Sequence, residues 1–123
     1  RKFPVWHEPE VLASYRVHSA AETSRLILSG RDIEDLRKCI SIISGYVDNL
    51  QTRAEVRSMA SRRYAMFALK NAEDLLRAGK PDAAWRQVSG ALKCDFSAKV
   101  LKNALMLLPM AIGATAAKGP AAK

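Results

Sequence analysis

The stretch TRAEVRSMASRRYAMFALKNAEDLLRAGKPDAAWRQVSGALKC, Thr52–Cys94, decides the fold. Thr52-Arg53-Ala54-Glu55 has the form of a capping box: the Thr52 hydroxyl accepts from the backbone N–H three residues on, and Glu55 reaches back to the N–H of Thr52. No Gly or Pro follows until Gly79, and Ala, Leu, Met, Arg, Lys and Glu dominate, so propensity predicts a long helix over 53–78. Gly79 suits the left-handed residue that ends a helix. Pro81 suits the first turn of the next, where no N–H is needed. That second helix, over 81–93, carries Ala84, Val88, Ala91 and Leu92 on one stripe, and the pair reads as an αα-hairpin with antiparallel arms. The long helix is apolar on two sides. Val56, Met59, Ala60 and Phe67 form one, Met66, Leu69, Ala72 and Leu76 the other, with Tyr64 and Leu75 between. Such a helix is expected at the centre, with several neighbours.

Outward from the hairpin, Ile33, Leu36, Ile40, Ile43, Val47 and Leu50 recur in steps of three and four, which predicts a helix over 32–50. Asn49–Gln51 is the expected turn into the capping box. Asp95 or Ser97 can cap a last helix over 97–108, with Val100, Leu101, Ala104, Leu105 and Leu108 buried and Pro109 beyond its end. Residues 113–123 hold only Ala, Gly, Lys, Pro and Thr, so they are expected to be a disordered tail. The expected fold is mainly α, a bundle of about four helices over 31–112. An extended segment precedes it. There Val11–His18 partly alternates in the manner of a strand, and residues 19–30 end in a helical turn or two closing at Gly30. No second strand is evident, so this segment either lacks its partners or pairs with another copy of itself through residues 9–18.

The 123-residue length fits a single domain. Lys and Arg outnumber Asp and Glu by 20 to 12, a net charge of +8. That balance reads first as a solvated basic surface, and it also suits anionic partners: nucleic acid, phospholipid headgroups or phosphorylated sugars. Arg53, Arg57, Arg62, Arg63 and Lys70 could track phosphates, but no helix-turn-helix signature accompanies them, so nucleic acid ranks last. Cys39 and Cys94 have no metal-finger spacing and read as reduced, buried small hydrophobes. The uncharged stretch Ala104–Ala117 is 14 residues, too short to span a bilayer. No signal peptide is visible, so the cytoplasm is the expected location, including the inner membrane surface. The chain opens on Arg1-Lys2 as if within an element, which suggests a piece of a larger protein.

The run Tyr15-Arg16-Val17-His18, followed by Ser24, is the most informative for chemistry. On a strand Arg16 and His18 share a face about 7 Å apart. From spacing alone they read first as side chains facing water at a sheet edge. The same pair also suits a diphosphate, or a metal ion bridging one, since guanidinium matches phosphate geometry and imidazole ligates divalent cations. His7 and Glu8 lack a helical relation to His18, and Ser14, Ser19 and Ser24 lack a nucleophile elbow. Trp6 reads as a docking residue and Trp85 as a core residue.

Residues Pro9–His18 with Thr23-Ser24 resemble the end of the catalytic domain in bacterial family 2 glycosyltransferases, of GT-A type. There an aromatic-Arg-x-His run closes the domain, and a basic helical C-terminal region commonly follows. The resemblance implies that Arg16 and His18 lie at the donor diphosphate edge, with His18 near the bound Mn²⁺ or Mg²⁺. It further implies that Tyr15 and Ser24 belong to the same motif, and that the missing N-terminal GT-A domain and a nucleotide sugar are the partners. The nucleotide-binding start, the Asp-x-Asp metal motif and the catalytic base do not occur here, so residues 1–30 would be the tail end of a catalytic domain and the chain alone inactive. Asp32-Ile33-Glu34 is discounted as a metal motif, because acids simply favour a helix start. A second resemblance, to a tetratricopeptide repeat, rests on Gly79, Ala84, Val88 and Ala91. It implies a helical protein-interaction domain without a catalytic role. Phe96 stands where that repeat has Pro, and one unit alone is present.

Overall fold

The structure, a computed structural model, describes residues 21–116. Six helices follow one another: α1 (Glu22–Ser29), α2 (Arg31–Gly45), α3 (Leu50–Arg77), α4 (Pro81–Cys94), α5 (Ala98–Met106) and α6 (Leu108–Ala116). Among the described residues there is no strand, and the expected strand over 11–18 lies outside them.

The α3–α4 hairpin is the principal packing unit, as Gly79 and Pro81 predict. Gly79 takes φ +69°, and the N–H groups of Ala78, Gly79 and Lys80 return to carbonyls of the last turn of α3. Pro81 opens α4. The start of α3 is earlier than the capping box implies. Asn49 is the N-cap, its side-chain oxygen accepting from the Thr52 N–H at 2.9 Å, so Thr52 already lies within the helix. Glu55 is engaged instead by Gln51 Nε2 at 2.7 Å. Asn is at least as good an N-cap as Thr, and starting there adds most of a helical turn. The preceding helix ends at Gly45 rather than 50, and Arg53 Nε donates to the Val47 carbonyl at 2.8 Å, tying the α2–α3 loop down.

Pro109 does not stop the chain's helical course. It sits in the first turn of α6, where its missing N–H is no loss, and α6 runs on through Ala116, past the tail boundary expected at 113. The bundle also begins earlier than 31, because α1 packs on α2 and α4.

Ile33, Leu69, Leu75, Leu76, Val88 and Val100 form the core with a set of alanines on α3 and α4. Every buried residue of α3 lies between Ala65 and Leu76. The cause is length. At 28 residues α3 is about 42 Å long, twice the length of the 14-residue α4, which ends beside Ser61, where Cys94 donates to the Ser61 carbonyl. Met59, before that point, is 67% exposed, and Phe67, within the buried stretch but on another side of the helix from Leu69, is 50% exposed; both were expected inside. Ile43, Leu50 and Leu105 are likewise exposed, and Trp85, expected in the core, is 57% exposed on the outer face of α4.

Small residues bring α2 and α4 together. A Cβ on Gly90 would overlap the Ile33 side chain, which is itself fully buried. Gly90→Ala is expected to lower stability by about 1–3 kcal/mol, because a closely packed interior resists an added methyl. Gly45→Ala, where a Cβ meets nothing, is the contrasting control and should stabilise slightly. Chemical denaturation of both variants checks the pair; equal midpoints would contradict the close approach.

Candidate functional site

The chain that carries the Tyr15–His18 run enters the bundle through α1. None of α1's residues is fully buried, so its position depends on what grips it. The grip comes from α4. Gln87, with no exposed surface, donates through Nε2 to the Ile27 carbonyl and to Asp32 Oδ1, both at 2.7 Å. Arg86 Nη1 donates to the Leu28 carbonyl at 3.3 Å, and Asn71 Nδ2 reaches Asp32 Oδ2 at 3.4 Å. Ile27 and Leu28 lie in the last turn of α1; the Gly30 N–H already donates to the Ile27 carbonyl at 3.2 Å, and the α4 side chains add further bonds to that end of the helix. Gly30 makes the corner into α2 with φ +76°, and a Cβ there would stand 3.0 Å from Arg86 Cβ.

Both Gln87 bonds go to acceptors, which fixes the amide orientation: Nε2 must face them and Oε1 must face away. Oε1 is buried with no hydrogen-bond partner. Asp32, discounted in the sequence as a helix-dipole acid, is thus the polar hinge between α2, α3 and α4. The sequence did hold a signal for this. Gln87 interrupts the apolar stripe Ala84, Val88, Ala91, and a polar residue in such a stripe needs a buried partner.

Ser24 lies in the first turns of α1, half-buried, rather than in a loop. Tyr15, Arg16 and His18, with Trp6 and His7, lie outside the described residues. Among the described residues no group of three or more His, Cys, Asp or Glu could hold a metal ion. His18, the residue from which the Mn²⁺ or Mg²⁺ was expected, lies outside the residues so searched.

On the outside of the same corner are two adjoining clefts. The larger, about 720 Å³, has Val88, Ser89 and Gly90 of α4 in its lining, with Trp85 and Phe96 and the cations Arg37, Arg86 and Lys93. The smaller, about 420 Å³, adds Lys38 and Arg57. Glu34, Arg37 and Lys93 line both, and Glu34 is the sole acid. Small residues on the exposed face of α4 leave the depression, and helical spacing sets Trp85 and Lys93 on that face two turns apart.

Both cysteines are free. Cys94 is half-buried and donates to the Ser61 carbonyl at 3.4 Å; burial pushes its thiol above the ordinary value, outweighing the opposing effects of Arg37 and that hydrogen bond. Cys39 is exposed, against expectation, because α3 covers only the Ile33–Ile40–Ser44 side of α2. No described helix is long and apolar enough to cross a membrane.

Comparison with protein-family models, with curated proteins and with solved structures finds no match.

Proposed function

We propose that this chain is the C-terminal portion of a nucleotide-sugar-dependent glycosyltransferase of family 2, incomplete for catalysis by itself. The observation that carries the reading is the Tyr15-Arg16-Val17-His18 run with Ser24, joined directly to a basic, all-helical region. Three residues separate His18 from the start of α1, so the surface that His18 serves is tethered to the corner held by Gln87 and Arg86. The bundle then acts as a footing for one edge of the donor site. Arg16 and His18 contribute cationic and imidazole groups toward the sugar-nucleotide diphosphate. A divalent cation bound there would neutralise the departing diphosphate. The cytoplasm, up to the inner membrane face, is the location that goes with this reading.

The competing reading is a tetratricopeptide-like interaction domain. The α3–α4 hairpin and its Gly79 turn favour it. The length of α3 weighs against it, since 28 residues nearly fill a repeat of about 34 that must hold two helices.

The deciding experiment assays the full-length parent and the purified 1–123 chain against a panel of nucleotide sugars with Mn²⁺ or Mg²⁺. Metal-dependent turnover by the parent and none by the isolated chain is the expected result. A parent without turnover of any nucleotide sugar overturns the reading, and turnover by the isolated chain overturns its incompleteness.

A further inference from the structure

We infer that the face formed by α4, the basic clefts and α6 docks on an anionic lipid bilayer. The inference does not depend on the glycosyltransferase reading. Three kinds of surface follow one another across this face. First come the clefts, with Arg37, Lys38, Arg57, Arg86 and Lys93 set against the single acid Glu34. Among the described residues Arg37, Arg57 and Lys93 make no ion pair, while Glu73 and Asp74 of α3 are engaged by Lys70 and Arg77. Next comes Trp85, which lines both the larger basic cleft and a 250 Å³ apolar cavity beside α6. Last comes α6 itself, whose sequence LPMAIGATA holds no charged residue and whose Ile112 is largely exposed.

Cations, then an amphipathic indole, then uncharged apolar helix is the order in which a bilayer presents phosphate headgroups, interface and acyl chains. A free phosphate or a nucleic acid would be matched by the clefts alone and would leave the exposed apolar side of α6 without a purpose. At nine residues α6 is too short to span, so the contact is with the surface. Each basic residue near an anionic surface contributes roughly five-fold in binding.

The test uses the full 123-residue chain with Trp6→Phe, which leaves Trp85 as the one indole. Vesicles of phosphatidylcholine, with and without phosphatidylglycerol, are used for sedimentation and for Trp85 fluorescence. The expected result is salt-sensitive binding to the phosphatidylglycerol vesicles alone, with a blue shift of Trp85. Arg37→Glu with Lys93→Glu should weaken it by roughly 25-fold or more. Ile112→Glu, at an exposed position, should weaken it and reduce the blue shift, with circular dichroism unchanged in both variants. Vesicle binding that survives the double charge reversal would assign it to other cations and overturn the proposal. So would a Trp85 signal indifferent to vesicles. Inorganic phosphate or a single-stranded oligonucleotide bound through Arg37 and Lys93, with Ile112→Glu without effect on vesicles, would make the clefts a phosphate site and overturn the bilayer assignment as well.

Discussion

On the proposed glycosyltransferase reading, His18→Ala in the full-length parent is expected to lower the transfer rate by about 100- to 1000-fold while leaving the helices folded. Three links lead there. If Val11–His18 is extended, as its alternation leads one to expect, Arg16 and His18 share a face. Imidazole and guanidinium on that face suit a diphosphate whose negative charge grows as it leaves. Removing one such stabilising group typically raises the barrier by about 2.7–4 kcal/mol. Among the described residues the core begins at Ile27, and circular dichroism of the variant checks that the helices stay folded. Steady-state rates of wild type and variant, each titrated with Mn²⁺, decide the matter. If rate and metal response are both unchanged, His18 is an ordinary solvent-facing residue and the glycosyltransferase proposal loses its site.

Leu69→Ala should cost about 2–5 kcal/mol of stability, the range for a buried leucine cut back to alanine. Leu69 is 4% exposed in the middle of the buried part of α3 and belongs to the one continuous core. Neighbouring alanines on α3 and α4 hold the backbones close and leave little that can move into the gap. Phe67→Ala is the informative contrast: a larger side chain, two residues away, that is half exposed and should cost about 1 kcal/mol or less. Urea unfolding of the two variants tests which side of α3 faces inward. A greater loss at Phe67 than at Leu69 would mean that the helix is rotated from the orientation described.

That contrast also marks how far the sequence could be read. Gly79, Pro81 and the unbroken run before them announce the hairpin, because a left-handed turn and a proline at a helix start are local requirements that residue types reveal directly. The existence of α2 and α5 follows in the same way from their apolar spacing. Which apolar side of α3 is buried does not, because Met59, Phe67 and Leu69 are equally apolar; the reach of α4 along α3 decides against Met59, and the side on which the neighbouring helices pack decides between Phe67 and Leu69. Pro109 was open to two readings, a stop or a start, and the N–H it lacks is dispensable in either. The sequence singles out Ser24, Tyr15, Arg16 and His18, of which only Ser24 is among the described residues, and it does not show the Asp32–Gln87–Asn71 node. Its members are 39 and 55 residues apart along the chain and meet only once the hairpin has closed. The basic clefts were visible as a surplus of charge, whereas their convergence on Glu34 is a product of packing.

The attachment of α1 has a consequence for the order in which the protein forms and opens. An eight-residue helix is marginal by itself. Its bond to Gln87 closes a loop of 60 residues, whereas the α3–α4 hairpin closes across a three-residue turn. Contacts so distant in sequence are made late, after the hairpin provides the surface on which to make them. The same asymmetry governs fluctuations of the native state. Releasing α1 exposes part of Ile27 and Leu28 and a few hydrogen bonds, far less than global unfolding exposes. The bonds from Gln87 and Arg86 are thus a clasp on α1 that opens before the rest of the described helices do.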